Sequence, residues 1–136
     1  MALHCDFIFT THDTKFGDTH AKFGLRPTWG MSQTLSQAVG IRLAKEMSYS
    51  ARIILGDEAV RVGLANRAEK NKEDLDSLVD KISSQISSNS KEAVTAFKDL
   101  YNLSQSGLGL DEALKAELDR EYPEIKDTNE RLSEFK

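Results

Sequence analysis

Four residues with imidazole or thiol side chains, His4, Cys5, His12 and His20, stand within the first twenty positions, and they include all three histidines of the chain. Imidazole and thiolate both bind zinc. However, neighbouring His4 and Cys5 would point to opposite faces of an extended strand, and the remaining spacings match no standard zinc pattern, so metal chemistry is not expected. A lone loop histidine is most often solvated or hydrogen-bonded for structural reasons, and its chemical use is proton transfer near neutral pH. Three residues beyond His20 begins Phe23-Gly24-Leu25-Arg26-Pro27-Thr28-Trp29-Gly30. Two glycines and a proline make this an irregular segment ahead of a helix starting near Ser32; it can bring backbone close to a ligand or serve only as a packed loop. No Gly-x-Gly-x-x-Gly or Walker-type loop occurs, so dinucleotide and nucleoside-triphosphate chemistry lack support.

These residues need a scaffold, and 136 residues with 39% apolar and 29% charged side chains suffice for an ordinary globular core. A formal net charge of −4 offers no general field for a nucleic-acid backbone, so no nucleic-acid partner is expected and an anionic ligand would need a local cluster. Apolar runs such as Ile53 to Leu55 fall far short of the roughly 20 residues of a membrane span. The single Cys5 excludes an intrachain disulfide, and the N-terminus lacks a secretory pattern. A soluble, cytoplasmic protein is the expectation.

Along the chain, β-branched and aromatic residues from Cys5 to Thr11 predict a short buried strand that runs into a turn at His12 to Thr14. Partner strands are scarce, with fragments at Lys15 to Asp18 and Ala65 to Arg67. Leu35, Val39, Leu43 and Met47 recur every four residues, with Ala38 on the same face, which predicts a helix with one buried side. Asp57 reads as the cap of a short helix through Val62, with Gly63 as its left-handed exit. Beyond it lie two helical stripes, Leu75, Leu78, Val79, Ile82, Ile86 and then Val94, Phe97, Leu100, Tyr101, separated by a cap at Asn89 or Ser90. A Ser/Gly-rich link from Ser104 to Gly109 leads to a helix from Leu110 to Glu121, interrupted at Pro123, and a last amphipathic turn carries Leu132 and Phe135. The fold class is α/β, with a mixed N-terminal region (1–70) followed by a helical one (71–136).

Cys5-Asp6, Phe16-Gly17, Gly24, Pro27, Gly30, Gln33, Glu58-Ala59 and Gly63-Leu64-Ala65-Asn66 resemble, in order and spacing, the C-terminal half of the enoyl-CoA hydratase/isomerase (crotonase) family. The resemblance covers nearly the whole chain. It implies part of the family's ββα spiral, with the C-terminal helices used in trimerisation, and an acyl-CoA thioester as substrate. In the family two glutamates commonly share hydration, one activating water for attack at the β-carbon and the other supplying a proton at the α-carbon. Meanwhile two backbone amides hold the thioester oxygen as enolate charge develops. The second glutamate normally follows a Phe-Gly pair by three residues; here that position is His20, in Phe16-Gly17-Asp18-Thr19-His20. The resemblance thus implies His20 as the catalytic acid/base and Gly24, Pro27 and Trp29 at the substrate. An imidazolium, unlike a protonated glutamic acid, carries charge, so an apolar acyl pocket would favour the base role.

The same resemblance places the family's first glutamate and both oxyanion amides ahead of Met1. Losing an oxyanion donor costs on the order of 3 kcal/mol and a missing acid/base a factor of about 10² to 10⁴. The expectation is therefore a chain that is weakly active or inactive alone, either an incomplete hydratase or a non-catalytic assembly module or split-gene half; isomerase and related enolate chemistries remain alternatives. No separate cofactor is implied, since coenzyme A enters as part of the substrate. Lys91, Lys98, Lys115, Lys126 and Lys136 are the candidates for contacting its phosphates, with none singled out. A homo-oligomer, trimer or hexamer, is implied as well.

Overall fold

A computed structural model describes residues 2–133 of the chain. It forms two compact units, Met1–Asp80 and Lys81–Lys136.

The first unit begins with a 3₁₀ turn, Ala2–His4, closed by the Cys5 amide donating to the Ala2 carbonyl at 3.0 Å. Strand β1 is therefore shorter than its composition predicts, Phe9–Thr11 only. Its partner β4, Arg67–Glu69, runs parallel in the register Phe9↔Arg67, Thr10↔Ala68, Thr11↔Glu69. The strand expected at Ala65 to Arg67 thus sits two residues later. The reason lies in the element before it: helix α3, Gly56–Arg61, ends with Gly63 at φ +79°, the Gly63 amide on the Val60 carbonyl (3.1 Å) and the Leu64 amide on the Ala59 carbonyl (2.8 Å). This is a Schellman closure, as the left-handed exit at Gly63 requires. The Ala65 amide also turns back to Ala59 (3.1 Å), and Asn66 clamps Ile8 through both its backbone amide and its side-chain oxygen (each 2.8 Å), so pairing begins only at Arg67.

Asp57 does not cap α3. Leu55 occupies the cap position without a side-chain bond, and the Gly56 amide is met by the His12 carbonyl at 3.0 Å; the Asp57 carboxylate instead accepts from His12 Nδ1. Asp57 and Glu58 in the first turn and Arg61 in the last still complement the helix dipole. A second ladder joins β2, Lys15–Phe16, antiparallel to β3, Ile54–Leu55. Asp18, expected at the end of the first of these strands, lies outside it.

The four-residue apolar rhythm from Leu35 to Met47 is divided between two helices, α1 (Met31–Val39) and α2 (Ile41–Ser50). Gly40, at φ 78° and ψ 152°, breaks the continuity that the spacing alone suggested. Leu35, Ala44, Met47, Ile54, Ala59, Leu64 and Ala65 form the core between these helices and the strand–helix layer, with Phe16, Leu43 and Val60 packed around it. Met47 and Ile54 are each 1% exposed.

Helix α4 spans Lys72–Ser87. In the second unit, α5 (Lys91–Ser104), α6 (Leu110–Leu118) and α7 (Thr128–Ser133) contain no buried residue. Ser90 stands at the cap position of α5, but its hydroxyl donates to Asp127 Oδ1 at 2.8 Å, tying the α7 approach to the start of α5. Asp127 also pairs with Arg131, whose guanidinium donates to the Ser88 carbonyl at 2.8 Å. Helix α6 ends at Leu118 rather than Glu121, and the chain from Arg120 to Ile125 has no regular structure; Pro123 disfavours helical dihedrals at Tyr122 and so opposes continuation of the helix. Asp99 on α5 binds this tract, accepting from the Tyr122 hydroxyl (2.8 Å) and pairing with Arg120 (3.0 Å). Leu132 lies on α7, while Phe135 falls outside the described residues.

Candidate active site

His20 sits at the start of a second 3₁₀ turn, Ala21–Phe23, which closes at Gly24 with φ +66°. Two amides converge on the His20 carbonyl, those of Phe23 (3.0 Å) and Leu25 (2.9 Å), which pins the backbone that carries the imidazole. The ring itself is about one-third exposed, and its Nδ1 lies 2.5 Å from Asp18 Oδ1. Asp18 is 2% exposed. Its Oδ1 also accepts the His20 amide at 3.2 Å, and its Oδ2 accepts the Ser48 hydroxyl of α2 at 2.7 Å. Burial pushes the Asp18 carboxyl up, but the hydrogen bonds from Ser48 and His20 outweigh it and hold the group below its ordinary value of 3.8.

This pair borders a cavity of about 330 Å³ whose wall is mostly apolar, from Leu25, Pro27, Leu35, Ile41 and Ala44, with Lys45 and Tyr49 as further polar side chains. The volume falls at the small end of ligand pockets, which run from roughly 300 to 1,000 Å³. A smaller cavity of about 130 Å³ is bordered by Leu3, His4, Thr28, Trp29 and Met31, and His20 borders it as well. His20 therefore borders both spaces.

Three of the four residues expected at a site meet here. His20 and Pro27 border the larger cavity; His20 and Trp29 border the smaller. Trp29 is 79% exposed at φ +59°, and its carbonyl lies 3.1 Å from His4 Nε2. Gly24 borders neither cavity and makes the left-handed end of the turn that carries His20. Each histidine has a different partner, His4 with Trp29, His12 with Asp57 and His20 with Asp18. Of the candidate lysines, Lys91 and Lys98 lie on α5 and Lys115 on α6, Lys126 lies just before α7, and Lys136 is outside the described residues.

Reading the sequence for chemistry missed Asp18, Ser48 and Lys45. A signal for the first was present, because Asp18-x-His20 puts a carboxylate within reach of an imidazole, but an exposed loop would give the same pattern. No local signal pointed to Ser48, which reaches Asp18 from 30 residues away.

With this geometry in view, the comparisons with known proteins are specific. The enoyl-CoA hydratase/isomerase family model matches residues 1–135. The chain belongs to that family, and its α/β architecture is part of the crotonase fold. A probable peroxisomal enoyl-CoA hydratase 1 of Arabidopsis thaliana is 35% identical over 124 residues, which are 90% of this chain and 45% of that protein. A crotonyl-CoA hydratase of Syntrophomonas wolfei is 34% identical over 119 residues, 88% of this chain and 45% of that one. Among solved structures, an enoyl-CoA hydratase from Mycobacterium smegmatis is 36% identical with a TM-score of 0.72, over 85% of this chain and 53% of that chain. An enoyl-CoA hydratase subunit from Geobacillus kaustophilus has a TM-score of 0.78 at 23% identity, a likeness of fold alone. The chain spans about half the length, or less, of each of these four relatives.

Proposed function

We propose that this chain carries the acyl-side acid/base portion of an enoyl-CoA hydratase-like lyase of acyl-CoA metabolism, with His20 as the proton-transferring residue. The observation that carries the reading is the imidazole, held by a buried carboxylate, at the edge of a mostly apolar cavity in a chain of this family. Pro27 and Trp29 would contact the acyl thioester from the two sides of the ring, and Gly24 would act by shaping the turn. Asp18, Lys45 and Tyr49 also border the cavity, but Asp18 is buried with both oxygens engaged, and His20 stands at the position the family pattern gives to its acid/base. Coenzyme A enters as part of the substrate, and the proposed proton transfers need no separate cofactor. Double-bond isomerisation uses the same enolate and is the nearest alternative chemistry.

The test is hydration of crotonyl-CoA by the chain and by a longer form that spans the relatives' length, each with and without His20→Ala. Turnover that falls by about 10² or more in the variant supports the assignment, in line with the usual contribution of a general acid/base. Turnover unaffected by the substitution removes His20 from the mechanism.

A second reading, a non-catalytic assembly module, draws on the second unit. Phe97, Tyr101, Leu110, Leu114 and Leu118 on α5 and α6 are all exposed, and such apolar area favours association. On either reading we propose a homo-oligomer, a trimer or hexamer, in the cytoplasm. Light scattering checks the first; a monomer at micromolar concentration would contradict it. Among the described residues no helix is long and apolar enough to cross a membrane.

A further inference from the structure

The unexplained feature of the site is a carboxylate that is almost wholly buried yet has every oxygen engaged. Asp18 Oδ1 receives the His20 ring and the His20 amide, and Oδ2 receives Ser48. A bond from an aspartate to the amide two residues on is an ordinary Asx turn and needs no special account. The other two bonds are not part of that turn. One comes from the imidazole and the other from α2, the helix that also supplies Ala44 and Lys45 to the cavity wall.

We infer that Asp18 is a positioning residue for His20: its carboxylate keeps the ring proton on Nδ1, so that Nε2 is the nitrogen that takes and returns a proton, while Ser48 keeps the carboxylate in line with the ring. The inference rests on the reading of His20 as the acid/base group. An ionised carboxylate can only accept hydrogen bonds, and the amide and hydroxyl donors already aimed at Asp18 favour that form. The proton in the 2.5 Å contact therefore belongs to imidazole Nδ1, and the neutral ring has its lone pair on Nε2.

The chemistry that follows is balanced by one water. As the water oxygen bonds to the β-carbon of a 2-enoyl thioester, the π pair moves toward the α-carbon and the thioester carbonyl, and Nε2 accepts a proton of the water. The imidazolium formed lies against the Asp18 carboxylate, which offsets its charge. Nε2 then delivers the same proton to the α-carbon, the enolate pair forms the new C–H bond, and the ring returns to its Nδ1–H form. This is the role that glutamate could fill without help, because a carboxyl has no tautomer to choose; a histidine there needs a partner that chooses one.

The measurement requires no substrate. Long-range ¹H–¹⁵N correlation spectra of the 136-residue chain, recorded where the rings are neutral and with His20 assigned by its loss in His20→Gln, read the tautomer directly. The wild-type chain should show His20 predominantly as Nδ1–H. Asp18→Ala should convert it to predominantly Nε2–H, and Ser48→Ala should give a mixture. A wild-type ring protonated on Nε2 overturns the inference whether or not any variant folds, and so does a folded Asp18→Ala chain that retains Nδ1–H. Parallel crotonyl-CoA assays keep the two proposals apart. An Nε2–H ring in a chain that turns over, and loses turnover in His20→Ala, rejects the positioning role and keeps the hydratase reading. An Nδ1–H ring that depends on Asp18, with turnover that His20→Ala leaves unchanged, keeps the tautomer assignment and rejects His20 as the proton carrier.

Discussion

Replacing Gly56 with alanine probes the joint that sets β1 against α3. A Cβ at Gly56 would lie 2.0 Å from the Thr11 carbonyl oxygen, 2.9 Å from the Thr11 carbonyl carbon and 3.2 Å from His12 Cα. All three are backbone atoms, so no side chain can rotate away. An ordinary contact distance of about 3.5 Å requires the two segments to part by roughly 1.5 Å. Such a movement breaks the 3.0 Å bond from the Gly56 amide to the His12 carbonyl and strains the Thr11↔Glu69 end of the parallel ladder. Overpacking costs about 1–3 kcal/mol and a lost backbone bond about 1 kcal/mol more, so a total near 3 kcal/mol is expected. At Gly17 the added Cβ would come within 2.5 Å of Ile53 Cδ1 and 3.1 Å of the Arg52 carbonyl. Ile53 is 46% exposed, and its methyl can swing into solvent, which holds the cost to roughly 1 kcal/mol. Urea unfolding followed by Trp29, the chain's one tryptophan and a member of the same unit, reads both. With a urea slope of about 1.5 kcal/mol/M, Gly56→Ala should lower the midpoint by about 2 M, or abolish the transition, and Gly17→Ala by about 0.7 M. Equal midpoints for the two variants would refute the reasoning from backbone contact.

Gly40→Ala should cost about 1–3 kcal/mol although nothing lies within 4 Å of its added Cβ, since φ 78° with ψ 152° is a conformation open essentially to glycine alone; a midpoint equal to wild type in the same urea experiment would show that the α1–α2 joint relaxes freely. The depressed carboxyl of Asp18 makes a further prediction for acid. Because its folded value lies below the ordinary 3.8, its contribution is fully present above about pH 4 and is lost as the pH falls through the lower, folded value. Urea midpoints measured downward from pH 5 should therefore fall more steeply for wild type than for Asp18→Asn, and parallel slopes would show that Asp18 is not stabilised as an anion.

Much of the helical framework was readable from local pattern. The end of α3 is the clearest case: Gly63 follows a short amphipathic run, and only a glycine reaches the left-handed turn there at little cost, so the exit could be placed before any tertiary contact was known. The Leu35 to Met47 rhythm likewise located a buried helical face, but a spacing of four is the same whether the helix runs through Gly40 or stops and resumes beside it. Strand limits were the least legible. Phe7 and Ile8 have strand-forming side chains, yet the turn at Ala2–His4 and the clamp of Asn66 on Ile8 confine pairing to Phe9–Thr11.

At the site, the division falls between residue type and residue company. His20 at its place after Phe16-Gly17, and Pro27 and Trp29 beyond it, could be picked out in the linear order because the family pattern and the Gly/Pro punctuation are local. The partnership with Asp18 and Ser48 could not, since Ser48 is brought in by the docking of α2 and the same Asp-x-His spacing in a solvated loop would carry no burial. A hydrogen bond between groups 30 residues apart has no signature in either sequence neighbourhood. The sequence alone singled out His20 as the residue proposed to move a proton; the packing of α2 against the turn decided that its carboxylate neighbour Asp18 is buried and bound by Ser48, because burial and direction depend on contacts between distant segments.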